Sequence, residues 1–292
     1  MREAADSVLR QVHAFVREQW SRLTSRDGNA ASRILTPSRE HSPTEAPHAA
    51  PVEIHSEHDD ETFYAIGDIH GRADLIVSLL DKIEEDISSS DSKVRLIFLG
   101  DYCDRGLETR QVIDFLLSER VQKHRPIFIK GNHEQTLIEF LSDPATGPSW
   151  ARYGGRETLV SYGVRPPRSL SFNEDWERAR LEFREKLPQS HETFLLSLKP
   201  SARIGKYGFV HAGVKPGVPF DEQRERDLLW IRDEFLTSSE TLDVFLVHGH
   251  TPVDQATNNN SRVNVDTGAY YSGRLTAARI AGDDISFIST RA

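Results

Sequence analysis

Seven side chains of metal-binding type stand directly behind short apolar runs: Asp68 and His70, Asp101, Asn132, His211, and His248 with His250. In α/β sheets ligands gather beyond the carboxyl ends of strands, so run endings far apart in sequence can meet at one site. Gly67, Gly71, Gly100, Gly106, Gly131 and Gly249 flank these residues and let the backbone turn sharply there. In Gly67-Asp68-Ile69-His70-Gly71 a carboxylate and an imidazole two residues apart can project toward one cation. Taken alone, that block is better read as an Asp capping the next helix with a His in the turn. Gly100-Asp101-Tyr102-Cys103-Asp104-Arg105-Gly106 crowds two carboxylates and a guanidinium into seven residues, which a simple surface turn does not require. Gly131-Asn132-His133-Glu134 adds an amide oxygen and an imidazole where a new helix starts; an ordinary Asn helix cap would also account for it.

The runs that end at these residues cover 63–66, 94–99, 127–129, 207–210 and 244–247. Between the first three, residues 73–87 and 109–122 keep helical spacing, through Leu75, Ile76, Leu79, Leu80 and Ile83, then Val112, Ile113, Leu116 and Leu117. The order is β-α-β-α-β. Residues 150–198 read as mostly helical, and 262–265, 275–280 and 285–288 return to short strands. The expected fold is α/β in four layers, two mixed sheets packed as a sandwich and flanked by helices, with the site at strand carboxyl ends.

The three glycine-bounded blocks resemble the GDxHG, GDxxDRG and GNHE motifs of the calcineurin-like metallophosphoesterases, and specifically of their phosphoprotein phosphatase branch. The resemblance continues through His211-Ala212-Gly213, Leu229-Trp230-Ile231-Arg232 and Gly249-His250-Thr251 and covers roughly residues 63–288. Trp150, Gly154-Gly155 and Asp266-Thr267-Gly268-Ala269 are similar to the short bacterial and phage-type members. It implies that Asp68, His70 and Asp101 hold one divalent metal ion and that Asp101, Asn132, His211 and His250 hold a second, Asp101 bridging the two. This mixed nitrogen and oxygen set suits manganese, iron or zinc better than magnesium or calcium, and manganese is expected. A water shared by two such cations loses a proton near neutral pH and can attack phosphorus in line with the departing oxygen. His133 is then the expected general acid, with Asp104 orienting it. Arg105, Asn132 and Arg232 are expected to bind the substrate phosphate; for Arg232 a surface helix position is the alternative.

The activity so implied is that of a metal-dependent phosphomonoesterase, foremost a protein serine/threonine phosphatase. The enzymatic alternative is a hydrolase of dinucleoside polyphosphates, of the diadenosine tetraphosphate type, or of other nucleotides. A catalytically inactive phospho-binding module is a rival of another class, and the intact ligand set with His133 and Asp104 argues against it. Cys103 stands where relatives more often carry an aliphatic residue. A cysteine phosphatase needs an Arg six positions after its Cys, and position 109 is Thr109, so Cys103 is expected to be a small buried hydrophobe, with an oxidation switch as the lesser reading. His248 is expected behind the ligands or in the core, and His124 and His191 at the surface.

Composition narrows the setting. With 36 Lys and Arg against 45 Asp and Glu, the net charge of -9 argues against a footprint on nucleic acid backbones. One cysteine excludes an internal disulfide and a cysteine-rich zinc site, which fits the cytoplasm. No window approaches a membrane span, and acidic residues near the start argue against an export signal. Residues 1–24 place Val8, Leu9, Val12, Phe15, Val16, Trp20 and Leu23 on one stripe of an amphipathic helix suited to docking or self-association. Residues 25–61, with Pro37, Pro43, Pro47 and Pro51 among polar residues, read as a flexible linker, and residues 62–292 as the catalytic domain. The substrate is expected to be a phosphorylated protein or a small phosphoester.

Overall fold

The computed structural model describes residues 52–53, 61–88, 93–259 and 261–291. The expected amphipathic helix 1–24 and nearly all of the expected linker lie outside these residues. Within the stretch expected to be linker, Val52–Glu53 forms a short strand, β1, parallel to residues 202–203.

Two sheets carry the fold. One contains β2 (Thr62–Ile66), β3 (Val94–Phe98) and β4 (Ile127–Phe128), which run parallel, with β10 (Thr276–Ala281) antiparallel to β2 and β11 (Asp284–Ser289) antiparallel to β10. The other contains β5 (Ser201–Ile204), β6 (Tyr207–Val210), β7 (Phe245–His248), β8 (Thr257–Asn258) and β9 (Arg262–Asn264) in the order β1-β5-β6-β7-β9-β8. Strands β6, β7 and β9 are parallel. Both sheets are mixed, as expected from the sequence.

Strand alternation builds the layers. Phe63 and Ala65 of β2 and Ile97 of β3 face Ala202, Phe209, Val247 and Val263 of the other sheet across a shared apolar seam. Their neighbours Tyr64, Ile66, Leu96 and Phe98 point the other way, into helices. Those helices include Ala73–Ser88, Thr109–Leu116, Asn132–Ser142, Gly155–Ser161, Glu174–Lys186 and Gln189–Ser197. On the far face of the second sheet Val210 and Leu246 meet Leu228 and Phe235, from the short helices Glu225–Trp230 and Asp233–Leu236. Four layers result.

The helix expected over 109–122 is divided. Ser118 adopts an extended conformation (ψ 153°), its hydroxyl donates to the Phe115 carbonyl at 2.6 Å, and a second helix, Glu119–Gln122, starts there. A side chain that satisfies the last carbonyls competes with helix propagation. Strands β5 and β8 were not expected: in Ser201-Ala202-Arg203-Ile204 the Arg interrupts the apolar run, and both residues of β8 are exposed.

One packing contact reaches directly toward the site. The Gly155 Cα lies against the Trp150 indole, so that an added Cβ would sit 2.2 Å from the ring. Gly155→Ala is expected to cost about 1–3 kcal/mol, the usual penalty of overpacking a core, read as a lower urea midpoint with an unchanged m value. A midpoint equal to wild type would show that the indole has room to move.

Candidate active site

Every parallel strand of the central layers ends at the same place. Asp68 and His70 follow β2, Asp101 follows β3, Asn132 and His133 follow β4, and His211 follows β6; His248 closes β7 just before His250. The turns that carry them are conformationally costly. Among described non-glycine residues, positive φ is found at His70 (45°), Asp101 (52°), Asp104 (70°), Arg105 (64°) and His250 (66°), and otherwise only at Arg125. Bulky residues avoid this region unless surrounding structure enforces it.

Glu134 supplies that enforcement after β3. Its Oε2 accepts from the backbone N–H groups of Asp101 (2.8 Å) and Gly131 (3.0 Å), and its Oε1 from those of Tyr102 (2.8 Å) and Cys103 (3.1 Å). A fully buried carboxylate thus satisfies four otherwise stranded donors and ties the ends of β3 and β4 together. Gly131 cannot be larger, because a Cβ there would lie 2.1 Å from Asp101 Oδ1.

Around Asp101 two sets of side chains that could hold a metal ion converge. On one side, His211 Nε2 lies 3.4 Å from Asp101 Oδ1, 2.9 Å from Asn132 Oδ1 and 3.0 Å from His250 Nδ1. On the other, His70 Nε2 lies 3.4 Å from Asp101 Oδ2. The far nitrogens fix the tautomers: His211 Nδ1 faces the Leu99 carbonyl and His70 Nδ1 the Cys103 carbonyl, each at 2.9 Å, so both donate there and turn a lone pair inward. Burial lowers the pKa of His211 to about 3 and that of His70 well below its ordinary value, which keeps both rings neutral. The inward lone pairs of His211 and His70 therefore face the two oxygens of Asp101 at 3.4 Å, an arrangement that a cation stabilises. Burial also raises the carboxyl of Asp101 to about 7 and that of Asp68 well above the ordinary range, and cations placed between them would offset that cost. The donor set fits divalent cations: Asp101, Asn132, His211 and His250 would hold one, and His70 and Asp101 with Asp68 another. Asp68 Oδ1 accepts from the His250 N–H at 3.2 Å, and Gly249 packs so closely on it that a Cβ would sit 2.3 Å away.

His133 joins the second set, its Nε2 standing 3.8 Å from Asp101 Oδ2. Its Nδ1 is taken by Asp104 Oδ2 at 2.7 Å. The Asp104 carboxylate is itself fixed by the Trp150 indole N–H (2.8 Å) and the Thr158 hydroxyl (2.6 Å). Burial opposes charging of His133, but the Asp101 carboxylate and the bond to Asp104 outweigh it and raise its pKa. Arg105 Nη2 approaches His133 Nε2 to 3.4 Å, which brings a permanent cation to the side where a phosphate would enter.

Residues 61–281 match the family model for calcineurin-like phosphoesterases. The chain belongs to the calcineurin-like phosphoesterase family. It is 28% identical over 239 residues to the bis(5'-nucleosyl)-tetraphosphatase PrpE (asymmetrical) of Anoxybacillus flavithermus, an alignment spanning 73% of this chain and 88% of that protein. Among solved structures it is similar to that of a candidate diadenosine tetraphosphatase, with a TM-score of 0.55 and 19% identity over 83% of this chain and 98% of the other. It is also similar to a protein serine/threonine phosphatase from Saccharomyces cerevisiae, with a TM-score of 0.51 and 15% identity over 84% of each chain. At these identities the solved structures speak for the shared fold.

In this calcineurin-like phosphoesterase Asp68, His70, Asp101, Asn132, His133, His211 and His250 lie together. Arg232 lies at the exposed rim, its Nη1 donating to the His250 carbonyl and the Thr251 hydroxyl, both at 3.2 Å. His248 sits in the core, its ring edge-on to Phe235 at 5.1 Å and Nε2 without a partner. Cys103 is buried, and burial pushes its thiol well up, which leaves little of the thiolate an oxidation switch needs. His191 is not at the surface as expected: it is buried between the Tyr162 hydroxyl (2.8 Å) and Asp114 Oδ1 (3.0 Å). His124 is only partly exposed, beside Glu84. The four bonds of Glu134, the bonds of Trp150 and Thr158 to Asp104 and the burial of Asp266 beside Asp68 are not legible in the sequence, although the resemblance singles out Trp150 and Asp266 and the GNHE block contains Glu134.

Two measurements test this geometry. Glu134→Gln exchanges one oxygen for an NH2 group that faces two N–H donors, so two of the four bonds are lost at about 1–3 kcal/mol per stranded donor; a urea stability equal to wild type would free Glu134 from this role. Manganese at about a hundredfold over its Kd should add about 2.7 kcal/mol to the wild type and much less to Asp101→Asn, read from the melting temperature. Equal gains would remove Asp101 as the shared ligand.

Proposed function

We propose that this phosphoesterase cleaves the phosphoanhydride chain of dinucleoside polyphosphates. What carries the hydrolytic part of the reading is the meeting of both ligand sets at Asp101, with His133 facing the same carboxylate. When bound, two divalent cations would neutralise the polyphosphate and activate a water for in-line attack on phosphorus. Arg105, beside His133, would hold phosphoryl oxygens, and Arg232, beside His250, would do so as well. Asp104 anchors Nδ1 of His133 and favours its charged form, leaving Nε2 to hand a proton to the departing phosphate oxygen as the phosphorus–oxygen bond breaks. The substrate part is supported by the similarity to a tetraphosphatase over nearly the whole length of that relative.

The three motif blocks favour a second reading, the protein serine/threonine phosphatase first expected. With manganese present, kcat/KM is expected to be greater for diadenosine tetraphosphate than for a phosphoserine peptide; the reverse order would establish the protein phosphatase instead. His133→Asn separates the chemistry further. An alkoxide leaving group needs a proton, so hydrolysis of the phosphoserine peptide should fall by roughly 10²–10⁴. A polyphosphate leaves as a weak base and should lose less. Full activity of that variant on both would take His133 out of the reaction.

A further inference from the structure

We infer that Tyr270 and Tyr271 form a stacking platform for a nucleobase of the substrate at the rim of the cation site; this deepens, and rests on, the dinucleotide reading.

Strand β9 delivers the chain past Asp266 into Gly268 (φ 66°), and a single helical turn, Ala269–Ser272, presents both tyrosines outward. Tyr271 is 61% exposed and Tyr270 36%. Tyr271 is left mostly in solvent and Tyr270 partly so, yet both are held in place. Tyr270 sets its edge against His70, centroids 5.5 Å apart at 83°, and carries the Arg105 guanidinium over its face at 4.6 Å. Tyr271 stands across Tyr270 at 4.9 Å and 84°, and its ring rests on Gly268, where a Cβ would lie 2.2 Å from Cζ. The turn is tied from outside by Arg72 Nη1 donating to the Ala269 carbonyl at 3.0 Å and from within by the Ser272 hydroxyl donating to the Thr267 carbonyl at 2.7 Å. The platform is therefore ordered before any ligand arrives, which lowers the entropic cost of binding.

Its position selects its occupant. One tyrosine touches both a cation ligand and the arginine that receives phosphate, so a planar group stacked there belongs to the same molecule as the phosphate. A nucleoside polyphosphate supplies that pairing, whereas a phosphoserine peptide carries no planar group next to its phosphate. The overall charge of -9 repels a polyanion, so affinity for such a substrate must come from local contacts.

Tyr271 is the cleaner position to change, because the contacts to His70 and Arg105 are made by Tyr270. In the full-length, manganese-loaded protein the ratio of kcat/KM for diadenosine tetraphosphate to that for inorganic tripolyphosphate, which has no base, is measured for wild type, Tyr271→Ala and Tyr271→Phe. The expected result is a roughly tenfold fall of the ratio in Tyr271→Ala, mostly in KM, with the ratio kept in Tyr271→Phe. An unchanged ratio in Tyr271→Ala overturns the platform and leaves the dinucleotide reading standing. If wild type fails to cleave the dinucleotide, that reading falls, and calorimetry with adenosine monophosphate decides the platform on its own. Weaker binding by Tyr271→Ala sustains it, and equal or no binding ends it. A selective loss of activity on a phosphotyrosine peptide, with the dinucleotide spared, would assign the rings to an aryl phosphate and likewise overturn the inference.

Discussion

The site depends on one buried carboxylate that never meets the substrate. Asp101 has to bend into a left-handed conformation to turn its two oxygens toward two ligand sets, and Glu134 makes that bend tolerable by collecting the N–H groups the bend exposes. The same side chain pins the start of the helix that carries Asn132 and His133. The spacing between the residues that follow β3 and those that follow β4 is thereby fixed from behind, by a group with no vacant acceptor to compete for a cation.

A comparable division of labour surrounds His133. Asp104 orients the imidazole, and Trp150 and Thr158 orient Asp104. The indole in turn is seated against Gly155 and among Phe140 and Phe183 of the helical layer. Helices that look like mere cladding of a sheet thus set the angle of an imidazole several contacts away.

The sequence made the site more legible than its supports. Side chains that touch ligand must sit at strand ends beside small residues, and that signature is local: Asp68, His70, Asp101, Asn132, His133, His211 and His250 could all be picked out. Strand alternation made the sandwich readable in the same way. What stayed hidden depends on pairs distant along the chain. Nothing near Thr158 announces Asp104, 54 positions away, as its partner, and nothing near His191 announces Asp114. Polar residues with such partners are buried against their ordinary preference, which is why the residues around His191 point to the surface while the structure buries it. The division at Ser118 turned on a single hydroxyl, beyond the reach of apolar periodicity.

The candidate ligands are split between the two sheets: β2, β3 and β4 lead into Asp68, His70, Asp101 and Asn132, whereas β6 and β7 lead into His211 and His250. Cations held among them would rivet one sheet to the other, so that occupancy becomes part of the cohesion of the sandwich as well as of its chemistry. A shortened version ending before β6 would keep every motif block of the first half and still lack the groups that close the rivet.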